Sequence, residues 1–355
     1  MNKRMRPAMT MLAFIGIEAG HLRAINRIGT AQNYESACKS LKRYIGTYDK
    51  TDISFAEVTP TLLLNYQEWL WRSGMTRNSS SCYMRCLRAA YNKARRCLGT
   101  AFRTKEADPF KYVYTGRAKT LKRAIDTSDM RRLMNLDIRL ALMQQGCDYG
   151  RRDFKKRVER LETSRDYFIF CFCSRGLTFV DLAHLRSSNI HDGVISYRRR
   201  KTGQEITVKI EPQMQEIIDR HCNKASNDEY LFPIIGSKTH GGTGKDISTD
   251  SLHNKSSIQY QEYRKALSAY NRDLHIIEGM IGGHVRLTSY VSRHSWATSA
   301  YHNNVPIGII SKAMGHTSEI TTQIYLQSFS DNAIDRANHT LLQNLFYEQE
   351  QTQED

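Results

Sequence analysis

Four short segments of this chain carry residue types able to act on a phosphate. The first is Ser174-Arg175-Gly176-Leu177-Thr178-Phe179-Val180-Asp181-Leu182. Its arginine directly follows an apolar run and so stands at the edge of a core, where its planar fork can meet a phosphate. The same placement suits an arginine paired to an acid such as Asp181. The second is Tyr197-Arg198-Arg199-Arg200-Lys201-Thr202-Gly203. A basic hairpin can enter a groove, where a lysine such as Lys201 can pass a proton to a departing oxygen. A hairpin of this kind also serves as a plain backbone contact. The third, Leu287 to Thr298, holds Tyr290, Arg293 and His294, and the fourth, Met314 to Tyr325, holds Gly315-His316 with Tyr325 nine residues after the histidine.

These groups need elements to carry them. Tyr167 to Cys173 (YFIFCFC) is a continuous apolar run, too dense for a surface helix, and is expected at the buried centre of a domain that begins near Asp126. Val194 to Ile210 is expected as a β-hairpin, because Ile206, Val208 and Ile210 alternate and Thr202-Gly203 supplies a turn. Residues 236–250, rich in Gly, Ser and Thr, read as a loop, and 258–346 as helices. Gly241-Gly242-Thr243-Gly244-Lys245 falls short of a phosphate loop, since Thr239 stands where a glycine is needed and Asp246 where a hydroxyl is needed.

Upstream, residues 31–100 read as helical. Thr59-Pro60 is a helix start, with Thr as cap and Pro in the first turn. Leu62, Leu63, Tyr66, Trp69 and Leu70 follow at helical spacing. A later helix puts Met84, Leu87, Tyr91 and Ala94 on one face and leaves Arg85, Arg88, Arg95 and Arg96 off it. Most such basic faces are simply solvated. From Arg85 to Arg123, however, twelve Lys or Arg meet two acids, which favours salt-sensitive binding to a polyanion. The helical pattern is expected to stop around Pro109.

The 355 residues suggest two domains, and a formal net charge of +16 places nucleic acid first among partners and an anionic membrane surface second. No apolar run is long enough for a membrane span. The first residues read as a mature N-terminus rather than a signal peptide. Eight cysteines without zinc-site spacing are expected as reduced, mostly buried thiols in a cytoplasmic protein. No metal or cofactor is expected.

Taken together the four segments resemble the tyrosine recombinases, or phage-type integrases. Members carry Arg-Gly-Leu with an acid six residues after the Arg, a hairpin Lys, an Arg-His pair, and Gly-His with a Tyr nine residues on. Arg175, Asp181, Lys201, Arg293, His294, His316 and Tyr325 match in identity, order and spacing. Ile28 to Tyr34 and Tyr83 to Ala94 are similar to the helical core-binding domain, most like members from Bacteroides-type bacteria. The likeness spans roughly residues 10–346. One departure stands out: many members have a His three residues before the second Arg, and here that residue is Tyr290.

The resemblance implies a mainly α fold with a small β-sheet, closing as a clamp around DNA. Its parts would be a SAM-like core-binding domain at 1–108, a basic linker at 109–125, a catalytic domain at 126–330, and a C-terminal helix and tail at 331–355. That helix, with Ile334, Ala337, Leu341 and Leu345, would dock on a neighbour or pack on its own domain. The implied reaction is strand exchange through a 3′-phosphotyrosyl bond to Tyr325. Arg175 and Arg293 would hold the phosphate, His316 would act as base or orienting donor, Lys201 as general acid, and Tyr290 would stand in for the missing His. Asp181 and His294 would support them. Ionising a tyrosine of pKa about 10 at pH 7 costs about 4 kcal/mol, so the site must supply help. Candidate DNA contacts are Arg77, Arg85, Arg88, Lys93, Arg95, Arg96, Lys119, Lys122, Arg198, Arg199 and Arg200.

The implied partners are double-stranded recombination sites, a homotetramer on paired sites, and accessory DNA-bending or directionality proteins. The outcome would be integration, excision, inversion or resolution. Lack of a separate arm-binding domain would favour the simpler reactions. Two other readings stay open. One is a type IB topoisomerase with the same chemistry; the other is a DNA-binding regulator that has lost catalysis.

Overall fold

The computed structural model describes residues 9–99, 108–118, 124–146, 152–222, 230–236, 249–282 and 286–323, with Phe102, Thr104, Leu326 and Leu342 besides. At Arg152 and over 249–257 it describes the backbone alone. The chain forms two compact units. The first comprises Met1–Thr120 with Gly244–Gln261, and the second Leu121–Thr243 with Glu262–Asp355.

In the first unit four helices precede residue 100: α1 (Met11–Ala24), α2 (Ile28–Gly46), α3 (Pro60–Arg72) and α4 (Arg77–Leu98). Helix α3 starts as its sequence predicts. Thr59 Oγ1 accepts from Leu62 N–H, and Pro60 takes a first-turn position where no N–H is missed. Met84, Leu87, Tyr91 and Ala94 are each no more than 1% exposed, so the apolar stripe of α4 is a core face. Arg85, Arg95 and Arg96 are exposed on its other side. Arg77 is exposed too, with its guanidinium over the Trp71 ring.

Two members of the expected DNA-contacting set have partners inside this unit. Lys93 donates to the nearly buried Glu18 at 2.7 Å, and Arg88 donates to Asp108 at 2.9 Å. A carboxylate sheltered from water needs a cation beside it, so Lys93 has a structural task. Helix α4 also ends earlier than Pro109. It stops at Leu98, where Gly99 takes a positive φ. Phe110 and Val113, in the stretch expected as linker, are buried in the first unit's core.

The second unit is built around α7 (Arg152–Cys173). Before it lie α5 (Thr127–Met134) and α6 (Ile138–Gln144), each capped by an aspartate, Asp126 and Asp137. The apolar run is buried as expected, with Phe168 and Phe170 fully enclosed. After α7 come the short α8 (Phe179–Ala183), then strands β1 (Ile190–His191), β2 (Val194–Arg198) and β3 (Glu205–Lys209). They form one antiparallel sheet in the order β1-β2-β3, with Arg198 opposite Glu205 at the hairpin's end. The expected hairpin is therefore present with an added short strand. Gly203, at φ +73°, closes the loop by donating to Arg199 O.

Helices α9 (Pro212–His221), α10 (Thr249–Ile281), α11 (Val291–His302), α12 (Ile307–Ala313) and α13 (Glu319–Gln323) complete the described elements. Residues 237–248, most of the expected loop, lie outside the described residues, as does the 331–355 segment apart from Leu342. Among the described cysteines only Cys171 is buried, and Cys97 is exposed, so the thiols are less enclosed than composition suggests. No helix among the described residues is long and apolar enough to cross a membrane.

Candidate active site

Arg175 and Gly176 break the chain direction where α7 ends. Both have positive φ, +58° and +75°. Two successive left-handed residues turn the backbone sharply, and glycine at the second carries no steric cost there. Gly176 is needed for a further reason. A Cβ on it would lie 3.0 Å from Cγ and 3.1 Å from Cα of Arg293. The missing side chain lets α11 approach the α7 terminus directly.

Arg293 sits in the first turn of α11 and is 2% exposed. Its Nη1 donates to Gly176 O at 2.6 Å, and its Nη2 donates to Met314 O at 2.6 Å. The same Nη2 lies 2.9 Å from Nε2 of His316. One guanidinium thus joins three of the four sequence segments. An arginine can only donate, so Nε2 of His316 accepts. The proton of the neutral ring then belongs on Nδ1, which faces Thr322 Oγ1 at 2.8 Å. Thr322 is fully buried. No spacing rule distinguishes it from its neighbour Thr321, so sequence reasoning passed over it.

His316 is 7% exposed, and its pKa is lowered from 6.5 to about 3. Burial is the largest cause, followed by the positive charges of Arg293, Arg199 and Lys201. The imidazole is therefore neutral in the folded protein near pH 7. The unfolded chain binds a proton at this residue below about pH 6.5, while the folded chain resists it until about pH 3. This contribution to stability is fully present above pH 6.5 and is lost as pH falls towards 3. Urea midpoints measured between pH 7.5 and 4.5 should fall with pH in the native protein. In His316→Gln the fall should be shallower; identical slopes would contradict the buried, neutral histidine.

The hairpin supplies the remaining segment. Arg199 is 3% exposed, and its Nη1 donates to Gly315 O at 2.7 Å. It was expected among the DNA contacts, and the structure corrects this: its side chain points into the protein, while Arg198 and Arg200 on either side are exposed. The signal was present in the strand. Ile195, Tyr197 and Arg199 share one face by the two-residue period, and the first two are buried. Gly315 has φ +62°, and a Cβ there would come within 2.7 Å of Ile206 Cδ1. Close approach of the Arg293 backbone favours glycine at 176, while at 315 the left-handed φ does so, the nearest atom being the movable tip of Ile206.

Asp181 is not the ion partner of Arg175 that its spacing allowed. Its Oδ2 accepts from Thr178 Oγ1 at 2.6 Å and its Oδ1 from the backbone N–H of Arg200 at 2.9 Å. It braces the hairpin instead. Arg175 is half-buried, with Nη1 on Thr207 O of β3 at 3.2 Å. Lys201 is exposed at the hairpin tip. Tyr290, at the start of α11, is 42% exposed, and its ring is 6.3 Å from that of the half-buried His294. Tyr325, Lys119 and Lys122 lie outside the described residues.

Residues 154–331 match the model of the phage integrase family, and residues 10–97 match that of the phage integrase SAM-like domain. The chain belongs to the phage integrase family. A curated relative is tyrosine recombinase XerA of Pyrococcus furiosus, 28% identical over 176 residues, which are 48% of this chain and 52% of that protein. The match thus spans about half the length of that relative.

Two solved structures share the integrase fold over most of the chain. One is a lambda integrase (75–356) dimer bound to a COC′ core site, with TM-score 0.58, 14% identity, and coverage of 89% of this chain and 95% of that one. The other is the Tn1549 transposon integrase in complex with transposon right end DNA, with TM-score 0.56, 12% identity, and coverage of 94% and 100%. The mainly helical integrase fold with its small sheet is accordingly the fold of this protein.

For an integrase-family chain, the arrangement concentrates positive charge. Arg293, Arg199 and Lys201 all act on His316. Such a field favours an anion and stabilises charge that develops on it. A bound phosphate would offset the three cations and so oppose part of the lowering of the His316 pKa, of which burial is the largest cause.

Proposed function

We propose that this protein is a site-specific DNA recombinase that cleaves and rejoins DNA through a 3′-phosphotyrosyl intermediate on Tyr325. The observation that carries this reading is the guanidinium of Arg293, which ties the Arg175-Gly176 turn to Met314 and His316. Groups from distant parts of the chain meet where a phosphodiester's gain of charge can be held.

In the proposed reaction the Tyr325 oxygen forms a bond to phosphorus as the bond from phosphorus to the 5′ oxygen breaks. The tyrosine loses its proton, and the 5′ oxygen takes one from Lys201. Arg175 and Arg293 hold the non-bridging oxygens. His316, whose Nε2 is the unprotonated nitrogen, receives a proton during attack or, once protonated, orients the phosphate as a hydrogen-bond donor. Exchange of one ester for another conserves the bond energy, so rejoining needs only a second 5′ hydroxyl. Exchange between two duplexes calls for a protomer at each cleaved strand, hence a homotetramer on paired sites. The exposed Arg77, Arg85, Arg95, Arg96, Arg198 and Arg200 are assigned to the DNA backbone. Tyr290, exposed three residues before Arg293, is assigned a neutral hydrogen bond to the phosphate.

Nicked suicide substrates made from the DNA flanking the gene test the reading. The native protein should form a covalent adduct that survives denaturation, and Tyr325→Phe should form none. An adduct that persists in Tyr325→Phe would sink the nucleophile assignment.

A further inference from the structure

Lys201 sits on an exposed hairpin tip. A flexible ammonium on a loose loop is a poor proton donor, because general acid catalysis needs the donor within hydrogen-bond reach of the leaving atom. The residues around it are not loose. Arg199, two before Lys201, donates to Gly315 O at 2.7 Å, and Thr202, one after it, donates to the same carbonyl at 3.2 Å. In the amide orientation that satisfies both its ends, Gln204 adds a donor to His316 O at 3.2 Å. The backbone of Arg200 is held from the other side by Asp181.

Arg199 is also an unusual group to bury. It is 3% exposed and has no carboxylate partner among the described residues, and its Nε lacks a hydrogen bond. Burying a guanidinium on one neutral carbonyl is costly. Apolar packing alone would be served better by leucine or methionine. The carbonyl it meets immediately precedes His316, and its methylene Cδ packs 3.3 Å from where a Gly315 Cβ would lie.

We propose that Arg199 is a positioning residue which, with Thr202, clamps the hairpin to Gly315 and so sets Lys201 against the phosphate held beside His316. This rests on Lys201 being the general acid. The clamp makes proton delivery to the 5′ oxygen depend on one buried donor outside the reacting set. It also ties the hairpin to the segment whose Met314 and His316 meet the Arg293 guanidinium.

The test uses suicide substrates whose 5′ bridging oxygen is replaced by sulfur. With sulfur, the Tyr325 oxygen-to-phosphorus bond forms, the phosphorus-to-sulfur bond breaks, and the thiolate leaves without needing a proton. On the oxygen substrate, Arg199→Gln and Lys201→Ala should each slow adduct formation by about 100-fold. The milder Thr202→Val should slow it by about fivefold, the loss of one hydrogen bond. On the sulfur substrate all three should return to within about threefold of the native protein, whereas His316→Ala should stay slow.

Rescue of Lys201→Ala without rescue of Arg199→Gln and Thr202→Val would overturn the clamp while leaving Lys201 as the acid. Failure to rescue Lys201→Ala would overturn the acid assignment and the clamp with it. If Arg199→Gln does not fold, Thr202→Val decides alone, since it removes one partly buried hydroxyl and keeps the side-chain volume.

Discussion

Replacing Arg293 by alanine is expected to slow strand cleavage by at least about 100- to 1000-fold and also to weaken the second unit by about 3–5 kcal/mol. The two losses have separate causes. Chemically, the variant lacks one of the two forks assigned to the phosphate, and removing a single such donor costs about 100- to 1000-fold in rate. Structurally, the guanidinium is enclosed and serves the carbonyls of Gly176 and Met314. Truncation strands both acceptors away from water and leaves a void between the α7 terminus and α11. Single-turnover cleavage and urea midpoints on the same preparation separate the effects. Unchanged stability would contradict the buried placement of Arg293.

Arg175→Ala should behave differently, with cleavage falling by about 100- to 1000-fold and stability changing by less than about 1 kcal/mol. Arg175 is half-buried and makes one long hydrogen bond, to Thr207 O at 3.2 Å. Its positive φ costs an alanine about what it costs the arginine, so the backbone contributes little to the difference. DNA affinity, measured by mobility shift, should stay within a few-fold. A comparable loss of affinity and cleavage would show that Arg175 binds substrate and transition state alike, contrary to its assigned part. The two arginines are equivalent in the motif, but the structure makes only one of them a keystone of the fold.

Much of the first unit could be read from residue patterns. The cap at Thr59, the first-turn Pro60 and the buried stripe of Met84, Leu87, Tyr91 and Ala94 are local features, set by hydrogen bonds and periodicity within a few residues. The end of α4 was misplaced because the basic residues after Leu98 have good helix propensity, and the stop depends on Gly99. Phe110 and Val113 were hidden for a related reason: single apolar residues in a charged stretch show no period. Arg199 was misassigned because charge outweighed position. Its place in the two-residue alternation after Ile195 and Tyr197 pointed inward, yet an arginine is seldom buried without an acid.

The family, and the chain order of the proposed reacting groups Arg175, Lys201, Arg293, His316 and Tyr325, were legible in the sequence. Those facts reside in residue identity and spacing, which need no folding to be seen. Which of these side chains are buried and tie the segments together depended on tertiary packing. Arg293 meets a carbonyl 117 positions away and Arg199 one 116 positions away. Acceptors so distant leave no trace in local pattern, because every peptide carries the same carbonyl and only packing selects one. The same packing bears on Gly176, where Arg293 occupies the space a Cβ would need.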